Sequence, residues 1–197
     1  MKDLIEVELT KDKDIESFIN ALEKSYHREV EEGMIKDIVY FAKVREGARI
    51  PDKREEDGCY DLFPCFEENE VVIPAHAVRL IPTGIASAFN PCYRIAFRER
   101  GTNTKVNLSV MAGQIDSGYR GEYWVALQNN NDIPIEISKS INDIEKTEDF
   151  IRFPYSKAIC QFAIEEVPKV IIKEISYDKL LQLESERGIN CLGSTDK

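Results

Sequence analysis

Apolar residues recur at helical spacing near the start of the chain, over residues 14–32. The stripe has close to i, i+3, i+4, i+7 spacing and consists of Ile15, Phe18, Ile19, Leu22, Tyr26 and Val30. Asp12 or Asp14 is suited to cap the start of such a helix, and Gly33 to end it. The pattern predicts an amphipathic helix ahead of the main fold.

Beyond Gly33 the pattern changes to short runs of β-branched and aromatic residues that are separated by Gly, Pro and Asn. These runs cover residues 39–44, 70–73, 78–81, 93–97, 108–110, 123–127, 133–137 and 158–164. Many short strands joined by turns are typical of a barrel or a double-sheet jelly roll. The sequence therefore predicts a mainly β protein.

Three regions follow from these patterns. Residues 1–35 form a helical extension, and residues 36–186 form the β domain, which includes a polar surface loop at 138–149 and a helix over residues 177–186. Residues 187–197 are small and polar, which is typical of a flexible tail.

Composition narrows the range of functions. The chain has 197 residues, 43% hydrophobic and 31% charged, without a run of about 18 apolar residues that would span a bilayer. Its start lacks the apolar block of a secretory signal, and its five cysteines form no C-x-x-C pair, so we expect a cytoplasmic protein without membrane contact. A net charge of -10 opposes nucleic-acid binding, and two histidines are too few for an imidazole metal site.

The most informative stretch is residues 112–122, which join two predicted strands. It places one carboxylate, Asp116, and one aromatic ring, Tyr119, among glycines that allow close approach to a ligand. The alternative is an ordinary hairpin, because Asp and Gly favour turns for conformational reasons. From these residues alone the ordinary hairpin is the preferred interpretation.

Further segments decide between them, because five motifs occur in the order found in one family. The segments are residues 58–62, 99–105, 112–122, 155–161 and 187–195. With these motifs the sequence resembles the trimeric dUTP pyrophosphatase (dUTPase) family over about residues 39–197. The resemblance implies a distorted β-barrel of jelly-roll type, here with an added N-terminal helix, that assembles as a homotrimer.

The resemblance also implies a reaction, the hydrolysis of dUTP to dUMP and pyrophosphate, which keeps uracil out of DNA and supplies dUMP for dTMP synthesis. Asp116 would orient and deprotonate a water that attacks the α-phosphorus. Phosphoryl transfer requires positioning and charge neutralisation, so cations are needed at the site. The candidates are Arg100, Arg187 and, more weakly, Lys105.

The remaining site residues also come from the resemblance. The hairpin backbone would recognise uracil, Tyr119 would exclude a ribose 2'-hydroxyl, and Gln161 would bind a phosphate oxygen. Asp61 is expected to support the site, either through a backbone group or through an arginine. The implied substrate-binding set is Arg100, Gly101, Thr102, Val110, Gly113, Ile115, Tyr119, Gln161, Arg187, Leu192, Gly193, Ser194 and Thr195.

Cofactor and assembly follow in the same way. The triphosphate implies Mg²⁺, held by phosphate oxygens and water with no direct protein ligand. In the family the third motif of one subunit meets the first, second and fourth motifs of another subunit. The C-terminal tail of the third subunit closes over the nucleotide. The homotrimer would therefore share its active sites.

Some positions depart from the family pattern, and other functions remain open. The second motif has Gly101-Thr102-Asn103 in place of the usual Ser, Ala158 stands where Arg is common, and Leu192 replaces a stacking Phe. One alternative is a dUTPase-like binding or regulatory protein with weak catalysis. A dCTP deaminase is a second, but it needs a Glu where this chain has Ala126.

Overall fold

The computed structural model describes residues 38–185, 188 and 189. The chain divides into two compact units, one that ends at Val167 and one that begins at Pro168. The predicted helix over residues 14–32 and most of the predicted tail lie outside the described residues. The division into extension, β domain and tail therefore stays a prediction.

Strands dominate the first unit, which confirms the mainly β prediction. The strands are β1 Val39–Lys43, β2 Tyr60–Leu62, β3 Glu70–Ile73, β4 Val78–Pro82, β5 Ile85–Phe89, β6 Tyr93–Arg98, β7 Leu108–Met111, β8 Gln114–Ile115, β9 Trp124–Asn129, β10 Ile135–Ser138, β11 Glu145–Lys146, β12 Ile151–Pro154 and β13 Cys160–Glu166. Two short helices accompany them, α1 Gly101–Thr104 in the first unit and α2 Tyr177–Leu181 in the second.

The described strands form four small sheets, with orders β1-β5, β11-β12-β10-β3, β2-β13-β6-β8 and β4-β9-β7. Pairing is antiparallel throughout except between β10 and β12. The sheet that contains β2, β13, β6 and β8 brings most of the sequence motifs together, because residues of four motifs lie on its strands or directly beside them.

Buried and partly exposed side chains alternate along β13, so one face of this sheet packs on the core and the other faces outward. Phe162 is fully buried and stacks on Tyr60 of β2, with ring centroids 5.3 Å apart, and it also contacts Phe97 of β6. Because neighbours along a strand point to opposite faces, Gln161 lies on the outer face. Its register partners there are Asp61 and Arg98.

Some predicted elements need correction. The strand prediction for residues 70–73 matches β3, but the strands β2, β5, β8 and β12 were not predicted. Residues 86–88 of β5 are Ala-Ser-Ala, which carry little strand preference, and β5 forms because it pairs along its whole length with β1. The predicted loop 138–149 contains the short strand β11, which pairs with β12.

The second unit has little regular structure within its described residues. The helix predicted over residues 177–186 spans only Tyr177–Leu181, with the Ser176 hydroxyl accepting from the Lys179 N–H. Ile171 and Ile172 are almost fully exposed. None of the helices in the described part of the chain is long and apolar enough to cross a membrane. The cytoplasmic location stays a prediction.

Candidate active site

The third motif forms a hairpin, residues 112–123, between the paired strands β7 and β9. Ala112 starts it in the left-handed region at φ +49°, which is uncommon for a residue with a side chain. The carbonyl of Gly113 then accepts the Phe97 N–H, and a Cβ at Gly113 would lie 3.0 Å from the Phe97 carbonyl oxygen. Gly113 therefore allows the hairpin to approach β6 closely.

The hairpin tip presents Asp116 and Tyr119 on one turn. The Tyr119 N–H donates to the Asp116 carbonyl at 3.0 Å, and the Tyr119 hydroxyl donates to the Glu122 carbonyl at 2.9 Å. The Asp116 carboxylate is exposed, and one of its oxygens accepts from the Gln114 amide at 3.1 Å. Its remaining lone pairs are accessible to water or to a ligand.

These residues line the hairpin cleft, a space of about 230 Å³ bounded by Gln114, Ile115, Asp116, Tyr119, Glu122 and Trp124. Half of the residues around this cleft carry aromatic or aliphatic side chains, and two carry carboxylates. The cleft thus combines apolar walls with an exposed acid, which suits a neutral ring beside a reacting water.

A larger opening, the sheet-edge cleft, has a volume of about 710 Å³. It is lined by Asp61, Phe63, Arg100 and Gln161 together with polar side chains from residues 52–59. Residues of the first, second and fourth motifs thus come together in one place, although they are as much as a hundred positions apart in sequence.

The centre of the sheet-edge cleft is an ion pair between Arg100 and Asp61. Arg100 Nε lies 2.9 Å from one carboxylate oxygen, and Nη2 donates to the other at 3.0 Å. Nη1 makes a longer bond of 3.4 Å to the Ala158 carbonyl. A guanidinium has five N–H donors, so at least two remain for an anion. Of the two partners expected for Asp61 from sequence, a backbone group or an arginine, the structure thus shows the arginine.

The other residues of the second motif lie beside this pair without lining the cleft. Gly101 and Thr102 belong to α1, and Lys105 caps its end. The buried Asn103 anchors α1 by donating its amide to the Ile159 carbonyl at 2.9 Å. Gln161 does line the cleft, and its amide nitrogen donates to the Glu99 carbonyl at 2.8 Å.

Nucleophilic thiol chemistry does not fit the residue next to Gln161. Burial raises the pKa of the Cys160 thiol to about 12, so the group is neutral at physiological pH. Further along β13, hydrogen bonds from Arg94 and Arg98 lower the pKa of Glu165. The charged groups near Gln161 are thus largely paired with one another.

The two clefts use different strands of one sheet. Asp61 and Gln161 of the sheet-edge cleft lie on β2 and β13, whereas Gln114 and Ile115 of the hairpin cleft form β8 at the other edge. Three strand steps separate β2 from β8, which amounts to about 14 Å across the sheet. The row Asp61–Gln161–Arg98 is also displaced by three residues from the row Ile164–Ile95–Ile115, or about 10 Å along the strands. From Gln114 to Asp116 the chain runs further away from the first row.

One contact near the hairpin was missed by sequence reasoning. Arg45 makes a two-bond ion pair with Glu122, at 2.6 Å and 2.9 Å, and the Gly84 N–H donates to the same carboxylate at 2.8 Å. Arg45 also lies over the Trp124 ring, 5.5 Å from its centroid. Since 77 positions separate Arg45 from Glu122, no local pattern indicates this contact.

Several predicted site residues lie outside the described part of the chain. They are Arg187, Leu192, Gly193, Ser194 and Thr195. Of the predicted hairpin residues, Val110 is half-buried in β7 opposite Leu127, and Ile115 pairs with Ile95 of β6. Of the described site residues, Asp61, Arg100 and Gln161 line one cleft and Ile115, Asp116 and Tyr119 the other, whereas Gly101, Thr102, Val110 and Gly113 line neither.

Comparisons with known proteins identify the family. A deoxyuridine 5'-triphosphate nucleotidohydrolase from fowl adenovirus A serotype 1 is 32% identical over 162 residues, which is 80% of this chain and 76% of that protein. The enzyme of the same name from Clostridium tetani is 31% identical over 78% of this chain and 93% of its own length. Both relatives are nucleotide hydrolases by name. The chain belongs to the dUTPase family.

Solved structures agree in fold. A dUTPase mutant of Staphylococcus bacteriophage 80alpha, solved with dUpNHpp, matches 81% of this chain and 98% of its own, with a TM-score of 0.64 and 21% identity. A mutant dUTPase of phage phi11 of S. aureus, whose structure describes a structural Mg(II) ion, gives a TM-score of 0.56 at 20% identity, over 70% of this chain and 96% of its own. No family model matches the chain.

Proposed function

We propose that the protein hydrolyses dUTP to dUMP and pyrophosphate, and so keeps uracil out of DNA and supplies dUMP for dTMP synthesis. The observation that carries this proposal is the exposed Asp116 carboxylate beside Tyr119 on the turned hairpin, in a chain of the dUTPase family. An acid in this position can activate water next to a bound nucleotide.

In the proposed reaction the Asp116 carboxylate accepts a proton from water while the water oxygen bonds to the α-phosphorus. The bond from the α-phosphorus to the oxygen bridging to the β-phosphate breaks, and pyrophosphate leaves with the electron pair. General-base assistance of this kind contributes about 10² to 10⁴ in rate. Gln114, which donates to Asp116, helps to hold the carboxylate in one orientation.

The triphosphate requires cations, although the chain carries a net charge of -10. Arg100 meets this need in the sheet-edge cleft, because Asp61 fixes its guanidinium and leaves N–H groups for a phosphate. Gln161 lies at the same cleft and can turn its amide toward a phosphate oxygen. Arg187 and the tail residues Leu192, Gly193, Ser194 and Thr195 are proposed to complete the enclosure.

Base and sugar selection are assigned to the hairpin. Main-chain N–H and C=O groups between Val110 and Tyr119 can pair with the polar edge of uracil, and a cytosine amine would then face a donor. The Tyr119 ring, held by its bond to the Glu122 carbonyl, fills the space that a 2'-hydroxyl would need. The hairpin therefore favours dUTP over dCTP, which differs in its base, and over UTP, which differs in its sugar.

A homotrimer with shared active sites accounts for the separation of the two clefts. Asp116 and Arg100 must act on the same triphosphate, but they line separate clefts that share no lining residue. When a second copy of the chain brings its sheet-edge cleft to the hairpin of the first, both groups reach one nucleotide.

Mg²⁺ fits this arrangement as a partner of the substrate. No group of three or more His, Cys, Asp or Glu residues suited to a metal ion occurs in the part of the chain that the structure describes. Coordination by phosphate oxygens and water needs no such group. When bound, Mg²⁺ supplies charge neutralisation of the triphosphate. The chain's part is to hold the phosphates with Arg100 and Gln161.

A panel of nucleotides tests the proposal. Pyrophosphate release is measured for dUTP, dCTP, dTTP and UTP, each with and without added Mg²⁺. We expect rapid release from dUTP with Mg²⁺ and much slower release from the others. Deamination of dCTP would indicate the alternative enzyme, which Ala126, a buried methyl group in β9, argues against. Nucleotide binding without turnover would indicate the regulatory alternative.

A further inference from the structure

We propose that Arg45 is a positioning residue for the hairpin, acting through Glu122 on Tyr119 and Asp116. The proposal rests on the dUTP hydrolysis proposed above. Arg45 lies just after β1, outside all five motifs, and its guanidinium holds the carboxylate at the base of the hairpin with two bonds.

Glu122 connects three parts of the molecule. Its carboxylate receives the Arg45 guanidinium and the Gly84 N–H, while its carbonyl accepts the Tyr119 hydroxyl. The Glu122 side chain is only 13% exposed, so its negative charge is stabilised by these donors in place of water. A change at Arg45 is therefore transmitted through Glu122 to the ring that faces the sugar.

Tyr123, which follows Glu122, fixes the same end of the hairpin. The Tyr123 N–H donates to the Ile85 carbonyl at 2.7 Å, and the Thr83 N–H and hydroxyl both donate to the Tyr123 carbonyl. Tyr123 is fully buried, and its hydroxyl contacts Ser87. The Glu122–Tyr123 peptide is thus anchored at its Tyr123 N–H by Ile85, while Arg45 holds the same residue, Glu122, through its side chain.

Arg45 itself is placed by the turn between β4 and β5. The Val44 N–H donates to the Gly84 carbonyl at 2.8 Å. Gly84 has φ +69°, and a Cβ there would lie 2.7 Å from the Ala48 Cβ and 3.1 Å from the Arg45 Cβ. This close approach needs glycine, and it brings Arg45 within reach of Glu122.

A matched control exists elsewhere in the fold. Arg152 pairs with Glu136 at 2.8 Å between β12 and β10, away from the lining of both clefts. The side-chain exposures are 35% and 18% for this pair, against 36% and 13% for Arg45 and Glu122. The two pairs should contribute similarly to stability, so a larger loss of activity at Arg45 reflects its place beside the hairpin.

The experiment compares Arg45→Gln with Arg152→Gln in the full chain. Steady-state kinetics with dUTP and UTP give kcat, KM and the selectivity ratio, and amide hydrogen exchange is followed in peptides covering residues 112–122. We expect roughly a 10-fold or greater loss of kcat/KM and a lower dUTP/UTP ratio for Arg45→Gln, because misplacement of a reacting group by 1 Å can cost about 100-fold. We expect Arg152→Gln to stay within about twofold of wild type.

A second variant protects the test against simple misfolding. Arg45→Gln combined with Glu122→Gln removes the unpaired carboxylate and restores an amide–amide contact, so we expect it to recover part of the lost kcat/KM and of the hydrogen-exchange protection. Equal losses in Arg45→Gln and Arg152→Gln, or unchanged exchange in residues 112–122 of Arg45→Gln, overturn the proposal.

Failure of the proposed function gives a different result. If the wild-type protein releases no pyrophosphate from dUTP, the hydrolase assignment fails while the hydrogen-exchange comparison still decides whether Arg45 orders the hairpin. In that comparison faster exchange confined to Arg45→Gln supports the positioning role.

Discussion

The two clefts are built from different parts of the chain, and the proposed function gives them different tasks. In the sheet-edge cleft, side chains from three motifs come together, and a two-bond ion pair with Asp61 fixes Arg100, the cation that is proposed to bind phosphate. In the hairpin cleft, recognition is assigned to main-chain groups on a turned segment that starts at the left-handed Ala112. In the proposed function, phosphate charge is thus met by side chains beside strands, and base identity is read by main-chain groups of the hairpin.

The largest effect is expected from the one carboxylate assigned to the chemical step. Asp116→Asn keeps the size of the side chain but removes the base, so we expect kcat to fall about 10² to 10⁴-fold. Binding of dUpNHpp, followed by the emission of Trp124, the protein's single tryptophan, should change little. Turnover near the wild-type rate would remove Asp116 from the mechanism.

Mixing variants tests whether the two clefts belong to one site. Asp116→Asn and Arg100→Gln should each be weakly active alone. When the two are unfolded, mixed in equal amounts and refolded together, a site shared between chains regains both intact groups in about a quarter of cases. Pyrophosphate release should rise accordingly. If each site lies within one chain, no mixture regains activity, and the shared-site proposal fails.

A smaller effect is expected from the glycine beneath Tyr119. A Cβ at Gly121 would lie 2.5 Å from the Tyr119 hydroxyl oxygen, whereas one at Gly118 would meet nothing within 4 Å. Gly121→Ala should therefore displace the ring and lower the dUTP/UTP ratio, and Gly118→Ala should leave it closer to the wild-type value. Equal ratios in the two variants would contradict a role for the ring in sugar selection.

The smallest effect concerns the cysteines near the sheet-edge cleft. With a pKa of about 12 from burial, only about one Cys160 thiol in 10⁴ is ionised at pH 8, and ionisation increases only as the pH rises toward that value. Cys59 lines the cleft and is partly exposed. Iodoacetamide at pH 8 should modify Cys59 well before Cys160, as mass spectrometry of peptides would show. Faster labelling of Cys160 would contradict its burial.

The sequence predicts those features that depend on local pattern. β3 is matched residue for residue, because Glu-Val-Val-Ile has strong strand preference and a Pro follows it. Asp116 and Tyr119 are found from the motif, and both line the hairpin cleft.

Features that depend on distant partners are not visible in the sequence. β5 forms because β1 lies beside it, and β12, which ends in Pro154, is fixed by its parallel pairing with β10. The Arg45–Glu122 pair likewise joins positions 77 residues apart. These contacts arise from the packing of remote segments, which no window of neighbouring residues contains.

The position of β13 also has a consequence for how the protein folds. β13, near residue 160, lies between β2, near residue 60, and β6, so the sheet that bears both clefts cannot close until a long stretch of chain has been synthesised. Pairings so distant along the chain require large loops to close first, which slows folding. Until β13 arrives, β2 and β6 present unpaired edges that can associate with other chains, so assembly competes with aggregation during biosynthesis.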